Sequence, residues 1–95
     1  MAHMNVDVVS ADRKIWSGEA RLVSAPSAGG SIGLLAGHSP LLAVLSPGDV
    51  RITPVDGGGV VTATIVADGF ISMDDNQVTI VADTIDVVHA DAASR

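Results

Sequence analysis

Apolar and polar residues alternate with a period of two along most of this chain, the spacing that sends successive side chains to opposite faces of an extended strand. In residues 5–10, Val6 and Val8 share one face while Asn5 and Asp7 take the other. The same alternation, or a short apolar run, predicts strands at 14–17, 19–25, 31–35, 41–45, 50–55, 60–67, 70–73, 77–83 and 85–88. Turn formers separate them: Gly18, Pro26, Ser27-Ala28-Gly29-Gly30, Ser46-Pro47-Gly48-Asp49, Asp68-Gly69 and Asp74-Asp75-Asn76. Proline presets the first turn residue and glycine accepts positive φ. Asp56-Gly57-Gly58-Gly59 between two alternating runs is a hairpin signal. About ten short strands at this spacing predict an all-β sandwich or barrel.

No stretch of ten or more residues carries a helical stripe. The tail 90–95 holds helix formers but falls short of the ~12 residues an isolated helix needs. Residues 5–88 therefore read as one sandwich domain and 89–95 as a short tail, the possible start of a further segment. Met1-Ala2-His3-Met4 reads as a leader ending at a natural start at Met4, a genuine N-terminus being the alternative.

One face is more apolar than an isolated sandwich requires. Within 60–67, Val61, Ala63 and Ile65 fill one side, while Val60 and Val66 sit with threonines on the other. Val81 stands in the same way opposite Val78, Ile80 and Ala82. Either the pleat slips at a bulge, or these valines form a protein-contact surface, since large exposed apolar patches mark interfaces.

Composition narrows the function classes. The 95 residues are 47% hydrophobic, enough for one core, and the net charge is −6. Five basic residues, Arg13, Lys14, Arg21, Arg51 and Arg95, are scattered rather than striped, and stacking aromatics are scarce, which excludes a nucleic-acid binder. Without cysteine there is neither disulfide nor thiolate chemistry. Gly37-His38-Ser39-Pro40 interrupts the richest apolar stretch well short of the ~20 residues of a membrane helix.

Candidate chemistry is sparse. His38 and Ser39 are adjacent, which rarely aligns a nucleophile with its base, and no third partner is implied. The glycines at 29, 30, 33 and 37 lack the Gly-Lys-Ser/Thr step and the helix N-terminus of a phosphate cradle. Asp74-Asp75-Asn76 has the composition of an Asx turn rather than a calcium loop, whose remaining ligands are missing. His38 reads as a local hydrogen-bonding residue, with no second ligand at metal spacing. No catalytic, cofactor or metal residue is assigned.

The run Gly30-Ser31-Ile32-Gly33-Leu34-Leu35-Ala36-Gly37-His38-Ser39-Pro40-Leu41 resembles a loop of the epsilon subunit family of F-type ATP synthases, whose pattern is approximately Gly-acidic-aliphatic-Gly-aliphatic-Leu-Pro-Gly-His-x-Pro-Leu. The likeness extends over nearly the whole chain: Val8-Val9-Ser10-Ala11-Asp12, then Ile15-Trp16-Ser17-Gly18, the Ser46-Pro47-Gly48 turn, Asp68-Gly69-Phe70-Ile71, and Val78-Thr79-Ile80-Val81-Ala82-Asp83. Each is weak alone; their order and spacing together are specific. The resemblance implies a flattened antiparallel β-sandwich of about ten short strands. It implies a non-catalytic rotor subunit of the central stalk, bound to the gamma subunit and the membrane c-ring and to the catalytic head indirectly. Such a subunit couples proton flow to ATP synthesis, peripheral to the cytoplasmic face of the bacterial plasma membrane. On this likeness Gly30, Ser31, Ile32 and His38 form the c-ring contact loop, and Val60, Val66 and Val81 are candidate gamma-subunit contacts.

Three departures stand out. Ser31 replaces a commonly acidic residue, and Ala36 replaces proline, loosening the loop. The family's C-terminal helical hairpin, credited with inhibiting ATP hydrolysis and in some members with binding ATP, is missing after about Val88, as in a truncated form or a lineage with short subunits. The alternative function is a small sandwich acting as a ligand-binding or interaction module, although pocket binders usually offer aromatics that are scarce here; an enzyme ranks behind both. Since the nucleotide-binding hairpin is missing, ATP at millimolar concentration should leave the melting temperature unchanged. A clear upward shift in a thermal melt would contradict this.

Overall fold

The computed structural model describes residues 3–11, 13–55 and 59–89, and among these every regular element is a strand. There are nine: β1 (Met4–Val9), β2 (Lys14–Ser27), β3 (Gly30–Leu34), β4 (Leu41–Leu45), β5 (Gly48–Pro54), β6 (Val61–Ile65), β7 (Gly69–Asp74), β8 (Gln77–Ala82) and β9 (Ile85–His89). The all-β sandwich is as expected, with nine strands where about ten were counted. Asp56, Gly57 and Gly58 of the expected hairpin turn lie outside the described residues, as does the tail 90–95. The strands that the hairpin joins do pair antiparallel, from Gly48↔Ile65 to Ile52↔Val61.

The count differs because the expected strands 14–17 and 19–25 are one 14-residue strand, β2. Gly18 does not break it. A Cβ at this position would lie 2.8 Å from the Trp16 ring, so glycine here permits close approach of an aromatic, and the ladder continues through Val6↔Gly18. The strand also passes Pro26, which stands opposite Ser31. β2 pairs with β1 over Lys14 to Ala20, with β5 over Ala20 to Ser24, and with β3 over Val23 to Ser27. A register shift between Ala20 and Leu22 bends the strand at the changeover. One layer is thus the first half of β2 with β1, β8, β7 and β4; the other is its second half with β3, β5, β6 and β9.

One pairing departs from the antiparallel expectation. β1 lies parallel to β8, from Asn5↔Gln77 to Val9↔Val81. The remaining ladders are antiparallel. Alternation reports which face a residue takes, and not the direction of a neighbour distant in the chain, so this pairing has no local signature. The first strand also starts one residue before the expected boundary, at a fully buried Met4.

The core lies between the layers. β1 contributes Met4, Val6 and Val8; β8 contributes Val78, Ile80 and Ala82; β7 contributes Ile71 and Met73. Val50, Ile52, Val61, Ala63, Ile65, Val23 and Leu34 meet them from the other side. Each buried valine, leucine or isoleucine contributes about 1.5–3 kcal/mol. No polar or charged residue is buried among the described ones, so the core carries no desolvation cost that needs a partner.

The two ends of the sandwich differ. At one, here called the Pro47 end, Ala28 N–H donates to Val44 O (3.0 Å) and Ser46 N–H to Pro26 O (3.0 Å), tying the β2–β3 turn to the β4–β5 turn. At the other, the His38 end, Asn5 N–H donates to Asn76 O at 2.8 Å.

Glycine tolerance tests this packing. A Cβ on Gly69 would meet Val81 O at 2.5 Å and the Ala82 Cβ at 2.8 Å, whereas one on Gly33 meets nothing within 4 Å. Gly69→Ala should therefore lower unfolding free energy by about 1–3 kcal/mol. Gly33→Ala should change it by less than about 0.5 kcal/mol. Urea titration followed by far-UV circular dichroism measures both.

Candidate functional site

Strand β4 reads Leu41-Leu42-Ala43-Val44-Leu45, apolar at every position. An extended strand of this kind must present apolar side chains on both faces. Leu45 is buried, and Leu42 and Val44 face outward, 74% and 46% exposed. On β7, Phe70 lies between buried Gly69 and Ile71 and is 53% exposed; on β8, Val81 lies between buried Ile80 and Ala82 and is 39% exposed. The ladders align Val44 with Phe70 and Phe70 with Val81. Directly opposed side chains are about 5 Å apart, so these three form a continuous apolar row across adjacent strands, with Leu42 two residues along β4.

Across from Leu42 the next row on this face is polar: Ser72 opposes Leu42, Thr79 opposes Ser72, and Asp7 opposes Thr79. Gln77 Nε2 donates to Asp7 Oδ2 at 3.0 Å, and Lys14 Nζ lies 3.5 Å from Asp7 Oδ1. The outer face of the other layer is mainly polar at its centre, with Leu22 on β2, 39% exposed, as the exception. Arg51 opposes Thr62 there, Asp49 opposes Thr64, and Thr64 Oγ1 donates to Asp49 Oδ1 at 2.8 Å. One outer face thus carries a continuous apolar row, and the other is mainly polar.

The residues expected to contact partners are distributed more widely than their spacing suggests. Of Val60, Val66 and Val81, only Val81 lies in the apolar row. Val60 precedes β6 and is half-buried, while Val66 follows β6 and is exposed, so the two flank that strand at opposite ends. Phe70, Val44 and Leu42, which complete the row, were missed. Their signal was present in the unbroken apolar run of β4 and in Phe70 falling out of phase with Ile71 and Met73.

Gly30, Ser31 and Ile32 lie on β3 at the Pro47 end, where the β2–β3 turn is closed by a hydrogen bond from Ser27 Oγ to Gly30 O. Gly30 has φ of 123°, a conformation reserved for glycine. Gly30 and Ser31 are exposed, and Ile32 packs partly on the core. His38 lies beyond Leu34 at the opposite end. The four residues therefore do not form one loop surface.

At the His38 end, Gly37 N–H donates to Asn76 Oδ1 at 2.7 Å and His38 N–H donates to Leu35 O at 3.0 Å. The His38 ring Nδ1 lies 2.7 Å from Ser39 O, the local hydrogen-bonding role expected of it. Asp75 and Asn76 have φ of 52° and 62°, the paired positive values of a type I′ hairpin turn. A shallow depression lies between Gly37–Pro40 and Asp74–Asn76. No group of three or more metal-ligating side chains occurs among the described residues.

This geometry defines a small β-sandwich domain, with an apolar row on one outer face and two dissimilar turn clusters. Residues 3–87 match the family described as ATP synthase, Delta/Epsilon chain, beta-sandwich domain, and the chain belongs to that family. The ATP synthase epsilon chain of Streptomyces coelicolor is 48% identical over 86 residues, covering 90% of this chain and 68% of that one. The ATP synthase epsilon chain of Micrococcus luteus is 47% identical over 94 residues, covering 98% of this chain and 100% of that one. Among solved structures, a chain of the Euglena gracilis mitochondrial ATP synthase (OSCP/F1/c-ring) superposes with TM-score 0.82 at 21% identity, over 92% of this chain and 54% of its own length. A chain from the Tetrahymena thermophila ATP synthase central stalk and c-ring gives TM-score 0.64 at 17% identity, over 90% of this chain and 66% of its own. These structural likenesses establish the fold.

Asn76 joins three segments: its own turn, the start of β1 through its carbonyl, and the Gly37 loop through its side chain. Asn76→Gly keeps the positive φ and deletes only the side-chain bond, so it should cost about 1 kcal/mol. Asn76→Ala adds the left-handed penalty, about a further 1–2 kcal/mol. Equal urea midpoints for the two variants would refute this division.

Proposed function

We propose that this chain is the non-catalytic epsilon subunit of a proton-translocating rotary ATP synthase. In this reading it works in the central stalk, its apolar sheet face seated on the gamma subunit and its β2–β3 turn presented to the c-ring. The observation that carries the proposal is the Val44–Phe70–Val81 row with Leu42. An exposed apolar row on one face, opposite a mainly polar face, suits a domain that is covered on one side by another protein. Family membership supports the choice of complex, as do relatives named ATP synthase epsilon chain. Two fold relatives come from assemblies whose names include the c-ring.

The mechanical role follows from the backbone. A rotor element must transmit torque without shearing, and here the layers are joined covalently and by hydrogen bonds through β2. The apolar row faces outward from β4, β7 and β8, while Gly30 and Ser31 project at the Pro47 end, so a stalk and a ring can be engaged from different sides. His38, at the far end, belongs to neither surface and serves the loop that Asn76 holds. Among the described residues no helix is long and apolar enough to cross a membrane. In this reading the subunit sits at the cytoplasmic face of the bacterial membrane, held there by its partners.

Binding to the purified gamma subunit from the same source, followed by interferometry, tests the proposal. Val44→Asp and Phe70→Asp should each weaken binding by roughly tenfold or more, the range of interface hot spots, with far-UV spectra unchanged. Val66→Asp should leave binding as it was. Binding indifferent to Val44→Asp and Phe70→Asp would move the interface elsewhere, and no binding by the unaltered chain would reject the assignment.

A further inference from the structure

At the Pro47 end of the apolar row the surface opens into a cleft of about 270 Å³ lined by Ala11, Asp68, Gly69, Phe70, Val81, Ala82 and Asp83. Its walls combine two chemistries. Phe70, Val81 and the alanines give an apolar side, and Asp68 and Asp83 give two carboxylates at the rim. Both aspartates are exposed, and neither takes part in an ion pair among the described residues. Arg13 borders a neighbouring depression that Asp83 also lines, without closing a salt bridge to it.

We infer that this cleft is a socket for an arginine side chain projecting from the partner that covers the apolar row. Arginine has the required division along its length. Its methylene stem packs on apolar surface while the guanidinium remains polar. The planar head pairs with carboxylates in a fixed fork and is attracted to an aromatic ring such as Phe70. A lysine would satisfy the charge with a single strongly hydrated ammonium and make poorer use of two acceptors and a ring.

Charge selects the occupant. The chain carries net charge −6, and Asp74 and Asp75 border the same layer at its other end. A second copy would bring an equally acidic rim against this one, and an anionic lipid surface would be repelled in the same way. A protein surface with an apolar centre and a basic rim is complementary to the cleft and the row together. The inference rests on the proposed gamma-subunit contact and adds its electrostatic anchor.

The test uses the same gamma subunit at low and high salt with the double variant Asp68→Asn/Asp83→Asn. Asp86→Asn on β9, in the other layer, serves as the control. The double variant should lose about tenfold in affinity, the size of one charge-assisted contact, and its affinity should depend less on salt. The control should match the unaltered chain. Thermal melts check that the exposed, near-isosteric substitutions leave the fold intact; if the double variant melts early, the single variants replace it. Affinity unchanged in the double variant, or an equal loss in the control, overturns the socket while leaving the gamma contact standing if Phe70→Asp still weakens binding. Failure of the unaltered chain to bind gamma overturns both.

Discussion

Strand β2 supplies hydrogen bonds to both layers, and the ladders built outward from it place the outward-facing residues. Its first half fixes β1 through Met4↔Ala20 to Val9↔Lys14, and its second half fixes β5 and β3. The shift between Ala20 and Leu22 lets one continuous chain serve two layers that face each other. A slip of one residue in a ladder would exchange buried and exposed faces. Val78, Ile80 and Ala82 would then turn outward and Val81 inward. The row of Val44, Phe70 and Val81 is therefore set by backbone geometry as much as by the hydrophobicity of its members.

Alternation in the sequence conveyed the faces well. Val6 and Val8 are buried, as are Val61, Ala63 and Ile65, and the threonines between the latter turn outward as their parity requires. It conveyed less about continuity. Gly18 has the composition of a break and is a contact point for Trp16, a role visible only once the ring is placed. Nor did it convey pairing direction, since β1 meets β8 from the far end of the chain. The family resemblance rested on motif order, which the matched residues 3–87 bear out.

The candidate contact residues were the least legible part, for a geometric reason. Gly30, Ser31, Ile32 and His38 are near neighbours in sequence, but β3 runs between them at about 3.3 Å per residue. A contiguous motif thus became two sites at opposite ends of the sandwich. The reverse holds for the apolar row, whose members come from β4, β7 and β8 and are joined only by the ladders. Val60 and Val66 flank β6, which lies in the other layer, so neither can join that row.

The parallel pairing of β1 with β8 has a consequence for how the domain is made on the ribosome. β1 and its partner β2 are near neighbours in the chain, but the other edge of β1 waits until Gln77–Ala82 has been synthesised. Until then Asn5 to Val9 presents an open edge whose native neighbour does not yet exist. Asp7 on that strand, and Lys14 close by, place charge where a premature intermolecular pairing would begin. Closure of the first layer thus waits for β8, and a nascent chain stalled before it carries an unpaired strand edge.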